Sequence, residues 1–323
     1  MQRHLFITDP IENLNQELDT SLKLAKNLYS RGHLVAFATQ NSISLCNNGP
    51  FVASQKVDSW PISTLSQPHI FTATPLRDFD AIHFRTDPPT NENYWVSTWI
   101  LSQVPATTLI FNKPTALRDL NEKLLILNYP EDSAPALLSS NPAQIKKFIE
   151  SQCYRYAIAK PLTLFGGKGV VALDFRTKKG LSEAIKSVTA NGTELRLFQP
   201  FNESIFSGEV RAFAVGGKCI SWCLKLPKPG SFLANTGAGA TIENYQPTAS
   251  LNQRLDRIAE DLMKKGVYYI GFDIIGDLVS EINITSPRLL TTKPEEMEAF
   301  LRLTESVEDL VTKNNRPKNH QKT

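Results

Sequence analysis

Gly271-Phe272-Asp273-Ile274-Ile275-Gly276-Asp277, followed by Glu281-Ile282-Asn283-Ile284-Thr285-Ser286-Pro287, decides the fold of this chain. Two apolar runs flank Gly276-Asp277, a turn signal, so the stretch predicts two strands joined by a turn. Successive side chains on a strand point to opposite faces, which puts Glu281 and Asn283 on one face. Asp273 lies on the partner strand and can be brought opposite them. Two carboxylates and an amide oxygen are hard ligands, suited to Mg²⁺ and to phosphate oxygens carried on it. Spacing alone leaves a second reading open, an ordinary hairpin with a solvated polar face.

Three more segments stand upstream in order: Asp9-Pro10-Ile11 with Asn13; Arg85-Thr86-Asp87-Pro88-Pro89; and Asn112-Lys113-Pro114, continued by Leu117-Arg118-Asp119 and Asn121-Glu122-Lys123-Leu124. With the Gly271 stretch they resemble the ATP-grasp ligases, and within them the bacterial glutathione synthetases, over about residues 1–290. The resemblance implies an α/β ATP-grasp fold. A parallel-sheet pre-ATP-grasp substrate domain is expected over 1–122, a central α+β lid over 123–200 and a C-terminal α+β catalytic lobe over 201–311. It also implies an ATP-dependent carboxylate–amine ligase acting through an acyl phosphate, most like the synthesis of glutathione from γ-glutamylcysteine and glycine. The implied cofactors are ATP and Mg²⁺, two ions, with Mn²⁺ as the alternative.

A chain of 323 residues suits two or three lobes around a sizeable core. A net charge of +3 gives no electrostatic case for nucleic acid or a membrane surface. The lysines between Gly166 and Lys179 fit phosphates better than a polymer. No apolar run reaches the length of a transmembrane helix, and the N-terminus meets Thr8-Asp9-Pro10 too soon for a signal peptide. A soluble cytoplasmic enzyme with small peptide or amino-acid substrates is the expectation. Cys46, Cys153, Cys219 and Cys223 are dispersed without zinc spacing and are read as reduced structural thiols. The family resemblance implies a homo-oligomer, for which the helix at Asn93–Leu101 offers an apolar face.

Along the chain, residues 2–8 predict a strand, 14–31 a helix with Leu14, Leu18, Leu22, Leu24, Ala25 and Leu28 on its apolar face, and 33–39 a second strand. This βαβ unit favours a parallel sheet, whose ligands bind beyond the carboxyl ends of its strands. The loops at Asp9 and Arg85 lie at such ends, as candidate walls of one acyl-substrate site. Thr115–Asn128 predicts one helix leading into the next lobe, and the strand Val170–Phe175 follows the loop Leu162–Lys168. From about Thr312 the polar tail is read as disordered.

Forming an amide from a carboxylate needs an activated acyl group, and phosphoryl transfer is mostly positioning and electrostatics. Lys160 ends the apolar strand Ala157-Ile158-Ala159-Lys160-Pro161, an unusual place for an ammonium without a partner. The glycines of Phe165-Gly166-Gly167-Lys168-Gly169 let backbone N–H groups approach phosphate oxygens, although the Walker spacing is absent. The resemblance implies Lys123 and Lys160 as phosphate ligands, Gly166, Gly167 and Lys168 as the lid loop, Gln199 and Phe201 at the adenine, and Glu209 either at the ribose or ordering nearby ligands. It implies Asp273, Glu281 and Asn283 as metal ligands. Arg211, with Lys225 and Asn235, is implied for the transferring phosphoryl and the acyl phosphate, and Asn13, Arg85, Asp87, Ser286 and Arg288 for the substrate.

The chain departs from the family pattern at Glu209 for Asp, Lys225 for Arg, Leu233 for Arg and Arg288 for Thr. The last three changes fall where the resemblance places acyl phosphate and amine. Three functions are therefore weighed: glutathione synthesis, the same chemistry on other substrates, and a non-catalytic ATP-binding module. The retained Asp273, Glu281, Asn283 and Arg211 argue against the third.

Overall fold

The computed structural model describes residues 1–62, 72–151, 156–164, 166–174 and 178–316. Cys153, Phe165, Phe175 and the tail beyond Arg316 lie outside the described residues, as does the side chain of Lys179.

The first sheet is built from β1 (Arg3–Thr8), β2 (Leu34–Thr39), β3 (Ile43–Cys46), β4 (Gly49–Lys56), β5 (Thr72–Pro75), β6 (Ala81–Phe84) and β7 (Leu109–Phe111). Its order is β3-β4-β2-β1-β6-β7, with β5 beside β4. β2, β1, β6 and β7 run parallel, while the β3–β4 hairpin is antiparallel. The parallel strands are apolar almost throughout because both faces are covered. The carboxyl ends of β1 and β6 are neighbours, so the Asp9 and Arg85 loops meet: the Arg85 amide donates to Ile7 O at 2.7 Å and the Asp87 amide to Asp9 Oδ2 at 2.9 Å.

Helix α1 (Thr20–Ser30) is shorter than its apolar spacing predicts. The Asn15 carboxamide accepts the Glu17 and Leu18 amides and makes a separate turn; Asp19 then caps the helix by accepting the Leu22 amide at 2.9 Å. Leu18 is left 61 % exposed, whereas Leu22, Leu24, Ala25 and Leu28 are buried. Helix α2 (Glu92–Leu101) and the short α3 (Pro114–Asp119) follow.

The single helix expected over 115–128 is broken. Leu120 is extended (φ −115°, ψ 127°), the Asn121 carboxamide accepts the Lys123 amide at 3.0 Å, and only Leu125–Asn128 resumes as a 3₁₀ turn. A side chain that caps an amide locally competes with helix propagation.

The central sheet is antiparallel: β8 (Leu137–Ser139), β9 (Tyr156–Lys160), β10 (Val171–Asp174) and β11 (Arg196–Pro200), in the order β10-β9-β11-β8. Helices α4 (Pro142–Ser151) and α5 (Lys178–Val188) cover it, burying Ile145, Ile149, Leu181 and Ile185 with Ala157, Ala159, Leu173 and Phe198.

The third sheet is also antiparallel, with β12 (Glu209–Val215), β13 (Lys218–Leu226), β14 (Thr241–Asn244), β15 (Tyr269–Ile275) and β16 (Leu278–Asn283) in the order β14-β13-β12-β15-β16. Helix α6 (Ala249–Lys264) buries Leu251, Leu255, Ile258, Ala259 and Leu262, one helical stripe. Helix α7 (Lys293–Asn315) returns to the first sheet: Phe300, Leu303, Val307 and Val311 share a core with Phe6, Leu22, Leu28 and Phe37.

Of the tail expected to be disordered from about Thr312, the residues up to Asn315 are helical, while those beyond Arg316 lie outside the described residues. The helix continues to Asn315 because its polar residues find fixed partners: Thr312 Oγ1 accepts from Gln2 Nε2 at 3.1 Å, Asn314 donates to the Ala106 and Thr107 carbonyls, and Asn315 donates to Asp80 Oδ1.

Candidate active site

The β15–β16 hairpin forms the floor of a cleft between the central and third sheets. Asp273 pairs with Glu281 and Gly271 with Asn283, so the three polar side chains share one face while Phe272, Ile274 and Ile282 are fully buried on the other. Asn283 Nδ2 donates to Asp273 Oδ2 at 2.8 Å and to Gly271 O at 3.2 Å, which leaves Asn283 Oδ1 as an acceptor.

Neighbouring strands supply the cations. On β12, Arg211 stands in register with Asp273, and its Nη1 donates to Asp273 Oδ2 at 3.0 Å. Gly271 makes room for this: a Cβ there would lie 2.3 Å from Arg211 Nη2. On β13, Lys225 stands in register with Glu209, and its ammonium bridges Glu209 Oε1 and Asp273 Oδ1, the latter at 2.8 Å. From the other side Lys123 Nζ lies 3.6 Å and Lys160 Nζ 3.8 Å from the two Glu281 oxygens. Lys123 also donates to Leu164 O at 2.7 Å, and Lys160 to Ser280 O at 3.4 Å.

Four cations thus converge on three carboxylates, and the balance is uneven. Burial works against ionised Asp273, but the Lys225 and Arg211 charges outweigh it and hold its carboxyl well below the usual range. Glu209 shares the Lys225 ammonium with Asp273 and feels the Lys160 charge more weakly; burial, reinforced by the Asp273 charge, outweighs both and pushes it up to about 7. Burial opposes the Lys225 ammonium too, yet Asp273 and Glu209 raise its pKa above the ordinary lysine value.

The donor set fits a hard divalent cation, and the surrounding ammonium and guanidinium groups fit a polyphosphate. Among the described residues no three His, Cys, Asp or Glu side chains cluster as a metal site; the set here is two carboxylates and an amide.

Gly166, Gly167 and Lys168 line one wall of the cleft, and Phe232 to Asn235 line another. They touch: a Cβ on Gly167, whose φ is +76°, would stand 2.7 Å from Asn235 Nδ2. Gln199, Phe201 and Glu209 complete the lining, with Gln199 Nε2 donating to Ser280 O at 3.4 Å. Phe201 packs edge-on against Phe232, and its amide is already taken by the Tyr156 carbonyl at 3.0 Å.

A second cluster adjoins the floor. Arg85 donates to Ser21 Oγ and to Pro287 O, Ser286 Oγ donates to Arg85 O, and Arg288 Nη2 lies 3.0 Å from Asp87 Oδ2. Arg211 Nη2 donates to Arg288 O at 3.4 Å and joins the two clusters. Asn13 is not brought in; it is exposed on the turn Ile11–Asn13, and no hydrogen bond among the described residues ties its side chain to these four.

Two buried or part-buried groups were not singled out in the sequence. Asn112 donates to the Tyr269 and Ile284 carbonyls and accepts the Tyr269 amide; Glu122 accepts the Ile284 and Thr285 amides. Both stand in the quoted Asn112–Leu124 motif, but only the tertiary pairing shows what they hold.

Comparison with known proteins matches residues 2–118 to the prokaryotic glutathione synthetase N-terminal domain and residues 122–296 to the prokaryotic glutathione synthetase ATP-grasp domain. The chain belongs to the prokaryotic glutathione synthetase family. Its similarity to the glutathione synthetase of Escherichia coli K12 is 32 % identity over 292 residues, covering 87 % of this chain and 89 % of that one. The glutathione synthetase of Coxiella burnetii is 31 % identical over 287 residues, covering 87 % and 88 %.

Among solved structures, the D-cycloserine synthetase DcsG superposes with a TM-score of 0.66 at 14 % identity, covering 95 % of this chain and 99 % of that one. The ATP-grasp ligase PsnB, bound to a minimal precursor, gives 0.64 at 15 %, covering 97 % and 100 %. These two show the ATP-grasp fold. As a prokaryotic glutathione synthetase-family member the chain is an ADP-forming ligase that uses ATP and a divalent metal and acts on small molecules. No described helix is long and apolar enough to cross a membrane.

Proposed function

We propose that this chain joins γ-glutamylcysteine to glycine, with ATP converted to ADP and phosphate. The observation that carries the reading is the Asp273–Glu281–Asn283 face with Arg211, Lys225, Lys123 and Lys160 converging on it. We read the metal as Mg²⁺, two ions, with Mn²⁺ as the alternative, because carboxylate and amide oxygens are hard donors. Bound metal supplies Lewis-acid charge to phosphate oxygens.

In this reading Lys123 and Lys160 neutralise the triphosphate, and the Gly166–Lys168 loop closes over it. Gln199 and Phe201 take the adenine side and Glu209 the ribose. Arg211, Lys225 and Asn235 stabilise charge as the γ-phosphoryl passes to the donor carboxylate. The amine then attacks the acyl phosphate; the C–N bond forms, phosphate leaves and the amine loses a proton. Arg85, Asp87, Ser286 and Arg288 hold the peptide end. Asn13 enters only through the loop it shares with Asp9, which accepts the Asp87 amide.

The division at residues 122 and 200, a cytoplasmic location and a homo-oligomeric state belong to the same proposal. A second reading, the same chemistry with another donor or acceptor, is favoured by one observation: Arg288, paired with Asp87, adds a guanidinium beside the floor.

The test is phosphate release by the purified protein with ATP, Mg²⁺, γ-glutamylcysteine and glycine, with the peptide product identified by mass. Release that requires all the substrates and yields glutathione is expected. Background release with this pair, and turnover with another acid or amine, would replace the first reading with the second.

A further inference from the structure

One acidic side chain beside the metal strand is left without a role by the assignments above. Glu122 lies in the turn that joins the break after α3 to the 3₁₀ turn Leu125–Asn128. Its Oε1 accepts the Ile284 amide at 2.8 Å and the Thr285 amide at 2.7 Å, and its own carbonyl accepts the Ile282 amide at 3.4 Å. Asn112 Nδ2 donates to the Ile284 carbonyl at 2.7 Å. Both main-chain polar groups of Ile284 are therefore held by side chains from 112–122.

The position matters because β16 ends at Asn283. Beyond it the chain leaves the sheet ladder, and its order comes from such contacts: Ser286 Oγ to Arg85 O, and Arg85 Nη2 to Pro287 O. A carboxylate that accepts two amides makes charge-assisted bonds, stronger than neutral ones. Burial, joined by the Glu281 charge, raises the Glu122 carboxyl above its ordinary value, and the Thr285 and Ile284 amide bonds offset only part of the rise. Lys123, the next residue, reaches Glu281 from the same turn.

We propose that Glu122 is a positioning residue for the metal–nucleotide site. It pins the backbone directly after Asn283, and so sets how Asn283 and Glu281 present their oxygens to a divalent ion. By the same two bonds it fixes where the Ser286–Arg288 segment begins. It touches no reacting group. The inference rests on the metal assignment proposed above, but not on the identity of the acyl donor or the amine.

The test is calorimetric binding of a non-hydrolysable ATP analogue to the full chain, with and without Mg²⁺, for wild type, Glu122→Ala, Glu122→Gln and Glu122→Asp. Residues that orient metal ligands typically change metal affinity by about 10- to 100-fold, so Glu122→Ala should lose the Mg²⁺ enhancement by that factor, with metal-free affinity kept within about twofold. Glu122→Gln keeps an acceptor oxygen at the same reach and should retain the enhancement within about threefold. Glu122→Asp is one methylene short and should fall between them. If Glu122→Ala does not fold, the contrast between Asp and Gln reads the effect. Unchanged enhancement in the Ala or Asp variant overturns the proposal. So does an equal loss of metal-free and Mg²⁺-supported binding, which a general collapse of the site would give. A wild-type chain without any Mg²⁺ enhancement would instead refute the metal assignment itself.

Discussion

The Lys225 ammonium lies 2.8 Å from Asp273 Oδ1, on the face of β15 that Asp273 shares with Glu281 and Asn283 of β16. Lys225 is 5 % exposed and binds Glu209 as well, so it neutralises two carboxylates that burial disfavours. Removing one partner of a buried pair leaves the other charge uncompensated, at about 3–5 kcal/mol. Lys225→Ala should therefore lower the thermal midpoint in metal-free buffer. Adding Mg²⁺ without nucleotide should raise that midpoint more in the variant than in wild type, because the cation replaces the missing ammonium. Scanning calorimetry with and without Mg²⁺ checks this; equal Mg²⁺ shifts would show that Lys225 does not occupy the charge space of the metal.

Glu281→Gln keeps size and removes a charge between Lys123 and Lys160. Turnover should fall by about 100-fold or more, at least the effect of disturbing a ligand's support. The melting temperature should change little, since the glutamate contacts both lysines beyond 3.5 Å. Phosphate release at ordinary Mg²⁺ within a few-fold of wild type would remove Glu281 from the metal set.

Among the described residues Lys160 donates one long bond, to Ser280 O at 3.4 Å, and lies 3.8 Å from Glu281 Oε2, so its ammonium is open to a phosphate. A charged hydrogen bond contributes about 1.5–3 kcal/mol, so Lys160→Ala should weaken ATP binding by roughly 10- to 100-fold. Unchanged affinity by calorimetry would mean that the lysine serves Glu281 alone.

Arg288→Thr breaks an ion pair whose arginine side chain is 54 % exposed. Exposed pairs contribute about 0–1 kcal/mol, so stability should barely move. The kcat/KM with the native substrates should drop and the order of preference across a panel of acceptors should change, because a lost charge partner alters discrimination. Coincident profiles for both proteins would place Arg288 outside the site.

A pH dependence of stability follows from a buried chain beneath the first sheet. Gln2 Oε1 only accepts, so His4 Nε2 donates to it; His4 Nδ1 then accepts from His83 Nε2, and His83 Nδ1 accepts from the Tyr269 hydroxyl. Both rings are neutral in this arrangement. Burial lowers His4 to about 3, aided by the His33 charge, and lowers His83 well below its ordinary value. The unfolded chain binds more protons below its histidine pKa of about 6.5, so stability is full above that pH and falls as pH drops. The slope approaches about 1.4 kcal/mol per pH unit for each ring. Urea unfolding at pH 7.5, 6 and 5 should show the decline, and His83→Phe should reduce it. A midpoint that rises on acidification would contradict the neutral pair.

The polar face of Asp273, Glu281 and Asn283 was legible in the sequence because strand alternation is a local, period-two property. Four ordered motifs likewise carried the family and with it the fold, since each is a short contiguous string. Local pattern failed where a side chain captured its own backbone, as Asn15 does ahead of α1 and Asn121 does in the break after α3. It fell short again at Thr312 and Asn314, whose partners 310 and 208 residues away hold the last turn of the helix. Only the tertiary structure decided which cation meets which carboxylate: Arg211 and Lys225 reach Asp273 from 62 and 48 residues away, and Lys123 and Lys160 reach Glu281 from across the cleft. It also turned Glu122 from one acid in a motif into the clamp on Ile284. Alternation tells a side chain which face it takes; strand order and register, set by the packing of the whole sheet, choose its neighbours on that face.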